Sequence, residues 1–287
     1  MNSNEYKIYN NIVNLLKKNT NIIENNINIK LNTREILWNS LAPKIIVIGK
    51  NFDHFNKQAI EQGFNRLVTY VEVKYITDIL DKIDNKEYLD DLLKSTYIRD
   101  FRLSDFGCHI SHGICGEYLR KNNIKRALIF ENDCQFYSYI EDSYLQKLIN
   151  MYNLYNFDYL SLGSPTGREN IENTVCKNDL FSIHSFQNSL THSYLINLNT
   201  AIILSNTLNI NIKPTELLYI FNMQKRHWVK YNENENKSTN EDKINYEKYF
   251  RMGSDDFYCK YIKQYMLIQP LTYQKYIGNN KTILTRR

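Results

Sequence analysis

Three polar side chains follow a short apolar run near the middle of the chain. The run Ala127–Phe130 is typical of a buried strand, and Glu131, Asn132 and Asp133 come directly after it. If the extended backbone continues past Phe130, the side chains of Glu131 and Asp133 point to the same side. Two carboxylates at a strand end are ligands that Mg²⁺ or Mn²⁺ prefers. The alternative is an ordinary turn, since turns also favour Asn and Asp.

Strands and helices alternate around this run and must position it. The pattern predicts a strand at Ile45–Gly49, a helix at Asp53–Gln62 with Asp53 as its N-cap, and a strand at Arg66–Val73. A further strand, Phe157–Leu162, ends in Gly163. Such alternation favours an α/β fold with a mostly parallel central sheet flanked by helices. If the strands are parallel, the loop that begins at Gly163 lies at the same sheet edge as Glu131.

Other segments are predicted with less regular patterns. Ser104 is a suitable N-cap for a helix that ends near Lys121. Ser111 and His112 lie just off the buried face of that helix. The polar segment Asn170–Asp179 is expected to be a mobile loop.

The chain is expected to divide near residue 40. Residues 1–40 are predicted to be an N-terminal helical extension, packed on a main domain of residues 41–287. An assembly arm is the alternative function for this extension.

The order of several motifs resembles glycosyltransferase family 25, the lipooligosaccharide and collagen galactosyltransferase family. The resemblance covers roughly residues 100–278, and its helix and strand-end motifs are its most specific parts. The matching stretches are Gly107-Cys108-His109-Ile110-Ser111-His112, Phe130-Glu131-Asn132-Asp133, Phe157-Asp158-Tyr159-Leu160-Ser161-Leu162-Gly163, Thr191-His192-Ser193-Tyr194-Leu195-Ile196, Ser254-Asp255-Asp256-Phe257 and Gln269-Pro270.

This resemblance implies a GT-A-type nucleotide-diphospho-sugar transferase fold and an inverting transfer of galactose or glucose. The donor is a UDP-sugar, and the acceptor is a hydroxyl of a glycan or of hydroxylysine in a collagen-like protein. The cofactor is Mn²⁺ or Mg²⁺, with Glu131 and Asp133 as the metal ligands. The implied donor-binding residues are Glu131, Asn132, Asp133, Ser111, His112, Gly163 and Arg102.

The resemblance also implies a general base near the C-terminal motif. An acceptor hydroxyl must lose a proton, and Asp255 or Asp256 is the expected carboxylate. Both residues could instead cap a helix that begins there. Asn132 replaces the family's middle Asp, which removes one negative charge and predicts a weaker metal affinity.

Composition limits the remaining function classes. The chain has 287 residues and a net charge of +5, from 36 basic and 31 acidic residues spread along the sequence. This excess is too diffuse to indicate nucleic-acid binding. The five cysteines form no Cys-x-x-Cys pair, which is typical of free thiols in a reducing compartment.

The sequence also bears on location and assembly. It shows neither an apolar signal region nor an apolar run long enough to span a membrane, so we expect a cytoplasmic protein. Asn, Ile, Lys and Tyr are abundant in the sequence. This composition fits a protein that is encoded by a large DNA virus and acts in the host cytoplasm, or a protein of an AT-rich microbe. The sequence does not decide whether the protein forms a homo-oligomer. The alternative function is a weakly active or inactive relative that serves as a nucleotide-sugar-binding or assembly module.

Overall fold

We describe the protein from a computed structural model. The structure describes residues 3–25, 30–74, 78–79, 82, 99–163, 173–177, 182–186, 192–206, 208, 262, 264–267 and 270–274. Within helices and strands, the side chains of residues 3–9, 99–106, 173–177, 182–186, 264 and 274 lie outside this description. The chain divides into two compact units: residues 1–21, 73–123 and 198–262 form the first, and residues 22–72, 124–197 and 263–287 form the second.

Six helices and eleven strands lie within the described residues. The helices are α1 (Ser3–Lys18), α2 (Thr33–Leu41), α3 (Asp53–Gln62), α4 (Arg99–Lys121), α5 (Asp142–Tyr155) and α6 (Leu198–Asn206). The strands are β1 (Asn21–Glu24), β2 (Lys44–Gly49), β3 (Val68–Glu72), β4 (Arg126–Glu131), β5 (Cys134–Phe136), β6 (Tyr159–Ser161), β7 (Asn173–Lys177), β8 (Ser182–Phe186), β9 (Ser193–Asn197), β10 (Gln264–Leu267) and β11 (Thr272–Gln274).

A nine-stranded sheet forms the framework of the second unit. Its order is β1-β3-β2-β4-β9-β6-β10-β8-β7, and β5 pairs with β11 in a separate two-stranded sheet. Strands β2, β3, β4, β6, β7 and β10 run in one direction, whereas β8 and β9 run in the other. The predicted α/β class with a mostly parallel central sheet is therefore confirmed.

The central strands are the ones whose sequences are apolar throughout. In β2 the four residues Ile45–Ile48 are buried, and in β4 the four residues Ala127–Phe130 are buried. A strand buried on both faces reads as a continuous apolar run, which is why these two strands could be predicted. Because the two strands are parallel, their carboxyl ends lie at the same edge of the sheet.

An aromatic cluster fills the core of the second unit. The ring centroid of Trp38 lies 4.6 Å from that of Phe64, and Phe130 lies 5.0 Å from Phe55 and 5.5 Å from Phe136. Trp38 comes from α2, so this helix belongs to the same core as the sheet. The Trp38 indole also donates a hydrogen bond of 2.9 Å to the carbonyl of Gln62, which satisfies its buried N–H.

Helices α1, α4 and α6 belong to the first unit. Gly116 of α4 packs directly on α6, because a Cβ atom at this position would lie 2.6 Å from the carbonyl oxygen of Ala201. Helix α1 is joined to α4 by an ion pair of 2.7 Å between Lys17 and Glu117. The predicted boundary at residue 40 stays a prediction.

Two predicted helix caps are wrong. Helix α3 has the predicted bounds, but Asp53 is its first helical residue, and the side chain of Asn51 accepts the Asp53 N–H at 3.0 Å. This is an Asx turn, in which an Asn side chain binds the backbone two residues on. Helix α4 begins at Arg99, five residues before Ser104, so Ser104 lies inside the helix.

The predicted loop at Asn170–Asp179 is also wrong in part. Residues Asn173–Lys177 form β7, which pairs antiparallel with β8 and has a register irregularity between Thr174 and Cys176. Strand β7 is the last strand in the sheet order, so its partner β8 satisfies its backbone on one side only. A polar sequence is typical of such an edge strand.

Among the helices that the structure describes, none is long and apolar enough to cross a membrane.

Candidate functional site

The candidate site lies at one edge of the central sheet, where the carboxyl ends of β2, β4 and β6 meet. Strand β2 runs parallel to β4, and the register places Ile48 opposite Glu131. Strands β4 and β6 are both antiparallel to β9, so they point the same way. We call the set Gly49, Glu131, Gly163 and His192 the strand-end cluster. The prediction that Gly163 and Glu131 share one sheet edge is confirmed.

Glu131 is fixed by the backbone on both sides of β4. Its N–H donates to the carbonyl of His192 at 2.9 Å, and the next N–H, from Asn132, donates to the carbonyl of Ile48 at 2.8 Å. The strand therefore ends at Glu131, with its neighbours β2 and β9 still hydrogen-bonded to it.

The expected alternation from Glu131 to Asp133 is wrong, because the extended backbone stops too early. Asn132 and Asp133 form the turn that leads into β5. Strand alternation therefore does not place the two carboxylates on one side of the sheet.

Both carboxylates act on the same neighbour. Burial raises the pKa of Cys134, and the charges of Asp133 and Glu131 raise it further, whereas hydrogen bonds to Thr272 and Ser193 oppose this. Negative charge is thus concentrated where β4 passes into β5. Carboxylate oxygens are the ligands that hard divalent cations generally prefer.

Asn132 joins the turn to the loop after β2. Its side-chain amide donates to the carbonyl of Asn51 at 2.9 Å. A Cβ atom at Gly49 would lie 2.3 Å from the Asn132 side chain, so the two residues are in direct contact. At this position the amide binds the protein's own backbone and holds the loop after β2.

Gly163 and His192 also meet in direct contact. Gly163 forms an isolated parallel bridge with Thr272, and a Cβ atom on it would lie 1.9 Å from Nε2 of His192. The His192 side chain is buried. Burial lowers its pKa, while the Glu131 carboxylate and the backbone of Thr272 offset part of that shift. His192 was assigned no role from the sequence, because a single histidine before a strand has no second functional residue at a characteristic spacing from it.

The helix α4 in the first unit carries the other described candidates. The hydroxyl of Ser111 donates to the carbonyl of Gly107 at 2.7 Å, one turn earlier in the helix. His112 is buried, and so is His109, whose pKa is lowered to about 3 by burial and by His112. Ser111 thus bonds within its own helix, as serine in a helix often does.

Side chains that could hold a metal ion occur in both units. They are Cys108 and His112 in the first unit and Glu131 in the second. Sequence reasoning named His112 and Glu131 but missed Cys108. The spacing of Cys108 and His112, four residues apart in a predicted helix, was the available signal.

Three predicted residues have no described side chain. Asp255 and Asp256 lie outside the described residues, and Arg102 lies in α4 with only its backbone described. Their predicted roles stay predictions.

Comparison with known proteins adds no relative. The chain matches no protein-family model and no curated protein.

Proposed function

We propose that this protein is a metal-dependent glycosyltransferase of the GT-A type. It would move galactose or glucose from a UDP-sugar to a hydroxyl of a glycan or of hydroxylysine in a collagen-like protein. The observation that best supports this proposal is the strand-end cluster, where Glu131 lies at the same sheet edge as Gly49 and Gly163. Ligands of α/β sheets bind beyond the carboxyl ends of the strands.

The proposed metal site is formed by Glu131 and by Asp133 in the turn between β4 and β5. Glu131 and Asp133 would hold Mn²⁺ or Mg²⁺ through carboxylate oxygens, since both lie where β4 passes into β5. Such a cation offsets negative charge on a diphosphate. Asn132 contributes by holding the loop after β2 through Asn51.

The remaining roles follow from the family resemblance. Ser111, His112, Gly163 and Arg102 are assigned to the donor, and Asp255 or Asp256 takes the acceptor proton. The acceptor oxygen bonds to the anomeric carbon of the sugar as the bond from that carbon to the diphosphate oxygen breaks. The electron pair leaves with UDP, and attack from the opposite face inverts the configuration.

The test is the release of UDP from UDP-galactose and UDP-glucose, with and without Mn²⁺. We expect release that requires the metal, prefers one donor and falls at least about 100-fold in Asp133→Ala, since loss of a ligand should exceed the 10–100-fold effect of an outer-shell partner. Glu61→Ala is the matched control, because Glu61 is an exposed carboxylate on α3. It should leave release unchanged.

One result would contradict the proposal. If neither donor releases UDP and calorimetry detects no Mn²⁺-dependent UDP binding by the folded protein, the chain is not such a transferase. Circular dichroism of Asp133→Ala shows whether its loss of release reflects the missing carboxylate or a loss of folding.

A further inference from the structure

A thiol and an imidazole lie one turn apart in the middle of α4. Cys108 and His112 are separated by four residues, so they share a face of the helix. The Sγ atom of Cys108 and a ring nitrogen of His112 lie within 4.8 Å of each other. Cys108 is half-buried and His112 is buried, so the pair can be approached from the side of Cys108.

The chemistry of this pair differs from that of the strand-end carboxylates. Thiolate and imidazole select zinc-class ions, whereas carboxylates select Mg²⁺ and Mn²⁺. A tetrahedral zinc ion places its sulfur and nitrogen ligands about 3.6 Å apart, given the usual bond lengths. The separation of at most 4.8 Å in the structure requires only a small side-chain adjustment to reach that value.

We propose that Cys108 and His112 form a binding site for a zinc-class divalent cation on α4. The cysteine binds as a thiolate, so its proton passes to solvent when the sulfur–metal bond forms, and the histidine binds as a neutral imidazole. These two residues supply two of the four ligands of a tetrahedral ion, and water or a small-molecule donor supplies the other two. The site goes beyond the proposed transferase function, which assigns His112 to the donor but gives no role to Cys108.

Cys115 provides an internal comparison on the same helix. It is fully buried, and burial raises its pKa well above the ordinary value of a thiol. A thiol of this kind behaves as a small apolar side chain and resists forming a thiolate. Cys115 is therefore the control position for any signal that is attributed to Cys108.

The test is a Co²⁺ titration of the reduced, metal-free full chain, followed by absorption. A thiolate bound to Co²⁺ gives a near-ultraviolet charge-transfer band, and tetrahedral Co²⁺ gives intense visible bands. We expect both in the native chain, with displacement by Zn²⁺. The near-ultraviolet band should vanish in Cys108→Ser, and the apparent Kd should rise at least about tenfold in His112→Gln, because a direct ligand is lost.

Two further variants make the result specific. Cys115→Ala should keep the cobalt spectrum. Asp133→Asn should also keep it while losing Mn²⁺-dependent UDP binding, which separates this site from the proposed transferase site. The proposal is overturned if the native chain gives no charge-transfer band, or if the band survives in Cys108→Ser. Serine is a close replacement for cysteine, so Cys108→Ser tests the thiolate ligand even if His112→Gln does not fold.

Discussion

At the scale of single residues, Gly163 occupies a place that a larger residue cannot fill. An alanine Cβ would lie 1.9 Å from Nε2 and 2.3 Å from Cε1 of the buried His192 ring. We expect Gly163→Ala to lower the free energy of unfolding by about 1–3 kcal/mol, since overpacking displaces neighbouring groups. Urea unfolding, followed by circular dichroism, measures this loss.

The His192 ring itself supplies the control for that substitution. In a His192→Ala background the clash is gone, so the added cost of Gly163→Ala should be smaller by about 0.5–3 kcal/mol, the usual range for residues in contact. Equal costs in the two backgrounds would show that the two residues are not coupled through this contact.

The residue scale is also where sequence reasoning was least complete. It found Glu131 and Gly163, because each follows an apolar run that marks a buried strand. It missed the contact of Gly163 with His192, since that contact depends on β9 lying between β4 and β6. The residues next to His192 in the sequence do not indicate that β9 lies between β4 and β6.

At the scale of elements, the packing of α4 on α6 depends on Gly116. A Cβ atom there would lie 2.6 Å from the Ala201 carbonyl oxygen and 2.8 Å from the Ser205 nitrogen, both of them backbone atoms. Alanine gains about 1 kcal/mol of helix propensity over glycine. We expect overpacking of about 1–3 kcal/mol to outweigh this gain, since backbone atoms yield little. Gly116→Ala should therefore unfold at a lower urea concentration.

An exposed position on the same helix tests the reasoning. Arg120→Ala changes a solvent-facing residue of α4, and we expect an effect within about 0.5 kcal/mol. If Gly116→Ala is instead stabilised by its better helix propensity, the close approach of α4 and α6 is not what sets the stability there.

Helices and strands with a clear apolar sequence pattern could be predicted, whereas those that depend on tertiary contacts could not. The apolar runs of β2 and β4 gave their positions within one residue at each end. Strand β7 has a polar sequence and exists because β8 pairs with it. The cap of α3 was assigned to Asp53 on residue type alone, whereas in the structure the Asp53 N–H is bound by the side chain of Asn51, two residues earlier.

At the scale of the whole molecule, β10 joins two parts of the sheet that are distant in sequence. It lies between β6 and β8, parallel to the first and antiparallel to the second. We expect truncation after Ile262 to abolish cooperative unfolding and near-ultraviolet circular dichroism, because β6 and β8 each lose the pairing on one edge and Leu267 leaves the core. Binding of a hydrophobic dye should rise at the same time.

A matched truncation after Gln274 keeps both β10 and β11. It should retain near-ultraviolet circular dichroism and a single cooperative transition. If the chain truncated after Ile262 unfolds like this control, β10 is dispensable to the sheet.

The position of β10 has a consequence for how the protein is made. The ribosome delivers β6 about 100 residues before β10, which is a delay of about 5–20 s at ordinary rates of synthesis. During that interval the sheet of a nascent chain has a gap between β6 and β8, and each of these strands has one unpaired edge facing it. Neighbouring chains on the same messenger carry the same gap, so pairing between them competes with correct closure, and slower translation lengthens the period of risk.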